Sequence, residues 1–382
     1  SSPNRFYQAV LMIQHPHRKI RVTSVLPSFA GGGAERVVLT MLRYLDRTHY
    51  APSLVVLSGE GPLREAVPND LPVTDLARPR LRYAWFRLGQ ALRATNPDIV
   101  LPTISHINLA TLMQRGKLAS HTRIIARESN TPSASLGATR WPRLYHRLYS
   151  HYCRRADTIL CPSRLVSDEF ESAFRIAPDR LFVLPHPVDV ETIRVAAQSP
   201  QREPGAGLRV VAAGRLTHQK GFDRLIEILP RLSADTHLTL LGDGEDRASL
   251  IAQADRLGLR DRIAFKGFVR EPWPYFAGAD AFLLPSRWEG MPNAALEALA
   301  VGAPVIARSE AGGAGEIESA ALTVVDSNDA FAEAMARTPL SAAVELRESL
   351  LPDRFTLRAV MHEFEALLSR IATNSGEREN AP

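Results

Sequence analysis

Two glutamates with seven residues between them, Glu289 and Glu297, flank a stretch that reads Gly290-Met291-Pro292-Asn293-Ala294 before an Ala- and Leu-rich segment. A short apolar run, Ala281 to Leu284, comes just before, and Pro292 or Asn293 suits the start of a helix. The spacing therefore predicts a strand, a loop and a helix, with free backbone N–H groups from Gly290 to Ala294 at the loop's end. Such groups receive an anion, and the helix dipole adds about 0.3–1 kcal/mol. Glu289 falls in the loop and Glu297 about one turn into the helix, so both carboxylates can face one pocket and meet different parts of a ligand. Carboxylates accept hydrogen bonds from sugar hydroxyls. The alternative makes Glu297 an early helix residue that complements the dipole and Glu289 a loop charge. The surrounding Gly, Pro and strand–turn–helix pattern favours a site.

Elements that position this stretch can be read from apolar spacing. Ile20 to Leu26 reads as a strand and Ala30 to Gly33 as a turn, with Val37, Val38, Met41, Leu42 and Leu45 following at helical spacing. The same plan returns at Leu208 to Ala213, then a Gly214 to Gly221 loop, then Leu225 to Leu229. Each is a nucleotide-binding βα unit in outline, so each opens a domain. Further strands are expected at 53–57, 99–101, 123–126, 158–161 and 181–184, and again at 238–241, 263–265, 281–284, 304–307 and 322–324. Their continuous apolar character suits parallel strands covered on both faces. Between the halves, Ala196 to Gly207 is rich in Ser, Pro, Gln and Gly, which marks a linker hinging a cleft. Arg354 to Ile371 has the spacing of a final amphipathic helix, and Thr373 to Pro382 reads as a disordered tail.

Composition bounds the rest. A length of 382 residues suits two domains, and 45% apolar with 23% charged residues is a folded balance. No run approaches the roughly 20 apolar residues of a membrane span. The piece Ala9 to Ile13, broken by Gln14 and His15, does not read as a secretory signal, so a cytoplasmic protein is expected. Cys153 and Cys161 read as structural thiols, and no cluster has metal-ligand spacing. The net charge of +5 favours anionic partners without naming one. Five arginines between Arg140 and Arg155 are interleaved with Trp141, Tyr145, Tyr149 and Tyr152, which suits either an anionic membrane surface or a solvated helix face.

The chain resembles the retaining family-four glycosyltransferases of the GT-B fold, whose signature is this Glu, seven-residue gap, Glu arrangement. Also carrying the resemblance are Gly31 to Arg36 (Gly-Gly-Gly-Ala-Glu-Arg), the segment Gly214-Arg215-Leu216 to Lys220-Gly221, Gly242-Asp243-Gly244 and Gly267-Phe268-Val269. It covers nearly the whole chain and implies an α/β architecture of two Rossmann-like domains facing across a cleft. An acceptor domain would span 1–195 and a nucleotide-sugar domain 205–350, with the helix at 354–371 packing back toward the first. Arg215 and Lys220 would bind the donor diphosphate, Glu289 the sugar and Glu297 the ribose, with Arg215, Lys220 and Glu289 as the catalytic groups. Gly32, Gly33, Gly214, Phe268, Val269, Gly290, Met291, Pro292, Asn293 and Ala294 would complete the donor site, the base lying near Gly267 to Val269. Taken alone, Gly31 to Gly33 is equally a tight βα turn.

The pattern departs from the family in two places. Where relatives often carry a histidine after a first-domain strand, this chain has Arg127-Glu128-Ser129-Asn130, which makes Arg127, Glu128 and Asn130 acceptor-side candidates, together with His106. Where many relatives have Asn-Gly before a Val-Asp pair, it has His186-Pro187-Val188-Asp189. The resemblance implies transfer of a hexose or N-acetylhexosamine from a nucleotide-diphosphate sugar, UDP being the expected carrier, with retention and without cofactor or metal. A saccharide or lipid-linked hydroxyl would be the acceptor, as in bacterial surface-polysaccharide assembly, at the inner face of the membrane; no nucleic acid is expected. Two alternatives stay open: an epimerase on the same architecture, acting on donor alone, and a non-catalytic anion- or nucleic-acid-binding module indifferent to Glu289.

Overall fold

A computed structural model describes residues 18–137, 139–341 and 345–379. The apolar piece Ala9 to Ile13 lies outside them. The first half runs β1 (Ile20–Leu26), α1 (Gly33–Tyr44), β2 (Tyr50–Val56), β3 (Val73–Asp75), α2 (Leu81–Thr95), β4 (Ile99–Pro102), α3 (Ser105–Met113), β5 (Arg123–Arg127), α4 (Pro132–Gly137), α5 (Pro142–Tyr152), β6 (Thr158–Cys161), α6 (Arg164–Ser172) and β7 (Leu181–Val183). After α7 (Val190–Ala196), the second half runs β8 (Arg209–Ala213), α8 (Phe222–Ile228), β9 (His237–Leu241), α9 (Arg247–Arg256), β10 (Ile263–Gly267), α10 (Trp273–Gly278), β11 (Ala281–Leu284), α11 (Asn293–Ala300), β12 (Val305–Arg308), β13 (Leu322–Val325), α12 (Asn328–Ala336) and α13 (Leu357–Glu379).

Both sheets are parallel, seven strands in the order β3-β2-β1-β4-β5-β6-β7 and six in the order β10-β9-β8-β11-β12-β13. Helices cover both faces of each sheet, which is why the strands are apolar throughout. In the first domain α2 to α6 pack on one face around Leu88, Leu112 and Phe170, while α1 and α13 cover the other with Met41, Val360 and Phe364. In the second, Leu225, Leu250 and Phe331 fill one side and Phe276, Leu296 and Ile193 the other. Each strand order reverses once, between β1 and β4 and between β8 and β11. Ligands of doubly wound sheets bind outside the carboxyl ends of the strands at such switch points. The loops after β1, β5, β8 and β11 are accordingly those that meet across the cleft. This is the GT-B fold, two Rossmann-like domains face to face.

Three boundaries differ from the sequence expectation. The first domain was expected to run to 195, yet Val188, Ile193 and Ala197 lie in the core of the second, so the chain crosses earlier, near Pro187. It crosses back beside that point, where Val188 N–H donates to the Phe355 carbonyl and Leu357 N–H to the Val188 carbonyl, both at 2.9 Å. The 196–207 segment is no free hinge: Gln201 N–H donates to the Pro274 carbonyl at 2.9 Å, and the Arg202 guanidinium pairs with Asp280 at 2.9 Å. Finally, α13 continues to Glu379, through most of the stretch expected as a disordered tail.

Candidate active site

Lys220 closes the short 3-10 turn His218–Lys220 that follows β8, and Gly221 turns the chain into α8 with φ +68°. A side chain on Gly221 would put its Cβ 2.3 Å from the Pro285 carbonyl oxygen, so only glycine lets this turn lie against the loop after β11. The two loops are bonded together, Arg287 N–H to the Gln219 carbonyl at 2.8 Å and Gln219 Nε2 to the Trp288 carbonyl at 3.0 Å. This seating brings Lys220 Nζ to 2.5 Å from Glu289 Oε1, which also accepts from Ser286 Oγ at 2.7 Å. Glu289 is buried with its charge balanced, and Oε2 has no partner among the described residues. Arg215, by contrast, is exposed, and its guanidinium has no hydrogen-bond or ion-pair partner among the described residues.

Glu297 sits in the second turn of α11 and lines a cavity that Glu289 does not. Its Oε2 accepts from Trp273 Nε1 at 2.8 Å, and Arg36 approaches Oε1 to 4.0 Å. Burial pushes the carboxyl up; the Arg36 charge and the Trp273 bond pull the other way. Both groups border a cavity of about 260 Å3, also walled by Thr40, Asp189, Arg270 and Asn293. Small-molecule pockets usually hold about 300–1,000 Å3, so this one suits part of a ligand. Phe268 stands half-exposed against Gly31, and Val269 packs into the second core. A larger cavity of about 380 Å3, beside β12 and α12, is remote from all these residues.

The first domain meets this surface through three loops. Asn293 Nδ2 donates to the Gly33 carbonyl at 3.2 Å, which directs its Oδ1 onto His186 Nδ1. Since Oδ1 can only accept, His186 Nδ1 carries the proton and Nε2 keeps a lone pair, buried and unpartnered. Burial, and then the Arg127 charge, push this imidazole down to about 3, so it stays neutral. Arg127, 3% exposed at the end of β5, has neither Nη1 nor Nη2 bonded among the described residues. Burial lowers its pKa to about 10, which leaves it charged at neutral pH. Between Arg127 and Arg215 lies Glu35, whose carboxyl burial pushes up against its own backbone N–H and the two arginine charges.

The remaining candidates are placed differently. Glu128 turns inward, accepting from Asn108 Nδ2 at 2.7 Å, from Ser105 Oγ at 2.9 Å and from the Tyr149 hydroxyl, so it braces α3 and α5 rather than meeting an acceptor. Asn130 Oδ1 caps its own turn by accepting from Thr131 N–H at 2.9 Å. His106 is exposed on the first turn of α3. Gly32 ends in front of α1, and its Cβ position is taken by the Glu35 carboxylate. Glu35, Ser286, Trp273 and Arg36 were missing from the sequence-derived site. Glu35 and Arg36 stood within the glycine motif, whereas the roles of Ser286 and Trp273 depend on contacts that spacing does not reveal.

The family description "Glycosyltransferase Family 4" matches residues 31–192, and "Glycosyl transferases group 1" matches residues 196–350. Among characterised proteins, an N-acetylgalactosamine-N,N'-diacetylbacillosaminyl-diphospho-undecaprenol 4-alpha-N-acetylgalactosaminyltransferase of Campylobacter jejuni is 27% identical over 303 residues, 76% of this chain and 81% of that one. The apo lipopolysaccharide outer core galactosyltransferase WaaB superposes with a TM-score of 0.66 at 21% identity, over 92% of this chain and all of that one. Anabaena HepE in complex with UDP-glucose gives 0.69 at 17% identity, over 94% and 99% of the two chains.

Proposed function

Because this chain belongs to the GT-B glycosyltransferases, its two halves matching the family-4 and group 1 descriptions, we propose that it transfers a hexose or N-acetylhexosamine from UDP-sugar to a saccharide hydroxyl, with retention. The observation that carries this reading is the Lys220–Glu289 pair beside the Gly290 to Ala294 loop, with Glu297 on a separate cavity nearby. The distribution suits a donor laid along the loop. The diphosphate meets Arg215, Lys220 and the N-terminus of α11, the sugar meets Glu289, and the ribose meets Glu297 in the cavity. The base then lies near Phe268 and Val269. HepE, a neighbour in fold, was crystallised with UDP-glucose, and this agrees with a UDP-sugar donor here.

In the reaction the bond from the anomeric carbon to the phosphate oxygen breaks, its electron pair leaving with the diphosphate. Arg215, Lys220 and the loop amides offset that charge, which is the basis for expecting no metal requirement. Chelator should leave the rate unchanged. The acceptor hydroxyl attacks the oxocarbenium-like carbon from the same face and gives its proton to the departing phosphate oxygen. The acceptor is a saccharide or a lipid-linked saccharide, the latter to be met at the inner face of the membrane. The Campylobacter relative, by its name, acts on a diphospho-undecaprenol-linked saccharide.

Calorimetric titration of UDP and GDP, without added metal, tests the donor site. UDP should bind, and Lys220→Ala or Glu297→Ala should weaken it about tenfold, or roughly 1.4 kcal/mol. Failure of the folded protein to bind either nucleotide would overturn the assignment. Consumption of donor without acceptor would point to an epimerase instead.

A further inference from the structure

Buried side-chain atoms without a hydrogen-bond partner gather at one place on the cleft edge of the first sheet. Thr103 and Arg127 are bridged neighbours there, one just past β4 and the other ending β5. Two residues before them, Leu101 and Ile125 pack in the layer under α1 and α13. Strand alternation turns Thr103 and Arg127 to that same side, toward the start of α1. His186 follows β7 on the same edge. Among the described residues Thr103 Oγ1, both terminal nitrogens of Arg127 and His186 Nε2 have no partner. The three residues are 0%, 3% and 3% exposed.

The second domain closes over this group. Asn293 bonds both Gly33 and His186, and Gly290 stands against the backbone of Ser129 and Asn130, just beyond Arg127. A ligand reaches the three side chains with the domains parted and is enclosed when they meet. Inside that enclosure the Arg127 charge has no counter-ion of its own. Glu128 is engaged with Ser105, Asn108 and Tyr149. Glu35, the other carboxyl within range of the charge, forms no ion pair with Arg127 among the described residues. A buried guanidinium left in that condition is costly, and a ligand anion removes the cost.

The unpartnered atoms also differ in what they ask for. Arg127 only donates, the neutral His186 Nε2 only accepts, and Thr103 Oγ1 does either. A ligand that answers them carries a planar anionic acceptor and, beside it, a hydroxyl that donates. We propose that Arg127, with Thr103 and His186, binds the carboxylate of a hexuronic acid residue, whose neighbouring ring hydroxyl donates to His186 Nε2. A carboxylate meets the two terminal nitrogens as a fork and balances their single charge. A neutral hexose would leave the cation unpaired. A phosphate monoester, with about two charges at neutral pH, would leave one of its own unpaired. Recognition of the carboxylate is independent of the donor chemistry, whereas its place in the reaction, on the donor sugar or on the acceptor, rests on the function proposed above.

Ligand-observed NMR titrations of the full chain separate the two sources. If the acceptor carries the carboxylate, methyl glucuronide should bind about tenfold or more tighter than methyl glucoside, with UDP present or absent. If the donor carries it, UDP-glucuronate should outbind UDP-glucose by a similar factor. Either preference should vanish in Arg127→Gln and survive only in part in Arg127→Lys, which keeps the charge and loses the fork. Cooperative thermal unfolding and an unchanged UDP affinity show that the variants are folded. No preference in either arm, or a preference that persists in Arg127→Gln, would overturn the proposal. So would displacement of the uronate by an equal concentration of inorganic phosphate, the mark of a general anion site. If the glucuronide binds through Arg127 but UDP does not bind, the carboxylate site stands and the proposed reaction fails. If UDP binds and neither uronate is preferred, the carboxylate site fails and the reaction stands.

Discussion

Glu289 is held by Lys220 and Ser286 through one carboxylate oxygen, and the other remains for a ligand. Removing its charge while keeping its shape separates transfer from nucleotide affinity. Glu289→Gln should lower turnover by about 100-fold or more, the scale of losing one preorganised electrostatic contact, and leave UDP affinity within about threefold. Arg127 makes the opposite kind of statement. A buried guanidinium with two unbonded nitrogens costs stability, so Arg127→Gln should raise the unfolding free energy by roughly 1 kcal/mol while slowing transfer. Thermal unfolding and initial rates on the same preparation check both signs; a variant that is less stable and equally active would show Arg127 to be structural. At this scale the sequence exposed the residues whose neighbours in the chain are informative, such as Glu289, Glu297 and Lys220 beside glycines. It concealed Trp273 and Ser286, because a ring N–H or a hydroxyl becomes part of a site only through what it touches. It also offered Glu128 as an acceptor group, when strand alternation turns its carboxyl into the core while Arg127 sits at the cleft.

At the scale of elements, Glu128 is what joins β5 to α3 and α5, and the bond comes with a titration. Burial pushes its carboxyl up to about 7, against the hydrogen bonds from Tyr149, Asn108 and Ser105 and the Arg127 charge. The folded protein thus holds this proton more tightly than the unfolded chain, whose glutamate titrates near 4.3. Stability from this group is fully present below the unfolded value and is lost as pH rises toward 7, levelling off above it. Glu128→Gln keeps an oxygen to accept from Asn108 and Tyr149 and presents an Nε2 that can donate to Ser105 Oγ, without the charge. It should flatten the pH dependence of stability between about 5 and 7 and gain on the order of 1–3 kcal/mol over wild type at pH 8. Denaturant unfolding at a series of pH values would show this, and parallel curves for the two proteins would rule it out. Most elements were legible because parallel strands buried on both faces are continuous apolar runs. β3 was not, since Val73-Thr74-Asp75 is a short, half-exposed edge strand with no run to recognise. α13 proved longer than its apolar spacing because a helix already nucleated by packing extends into polar residues at little cost.

The whole molecule is described with its two domains in contact. Glu316 of the second domain accepts from the free N–H groups of Arg164 and Leu165 at 2.7 and 2.8 Å, capping α6 of the first. Arg270 pairs with Glu65 at 2.6 Å across the cleft, and Asn293 joins Gly33 to His186. None of these contacts is readable from one chain's periodicities, which report what each domain buries and not how two domains meet. The chain's crossing near Pro187 was missed for the same reason, since α7 looks like the end of one domain and packs as the beginning of the next. Gly290 gives the clearest test of whether this contact belongs to catalysis. Its φ is not positive, so alanine can adopt its conformation within the second domain. The added Cβ, however, would lie 2.6 Å from the Ser129 carbonyl oxygen and 2.8 Å from Asn130 Cα, both backbone of the first domain. Gly290→Ala should therefore fold normally, bind UDP within about twofold of wild type, and hold the cleft open. Displacing reacting groups by about an ångström costs roughly 100-fold, and transfer should fall on that scale. Small-angle scattering with UDP-sugar bound should show a larger radius of gyration for the variant than for the wild type. Unchanged turnover would mean that the Gly290–Ser129 contact is not part of the reactive state, and that transfer proceeds in a more open arrangement of the two domains.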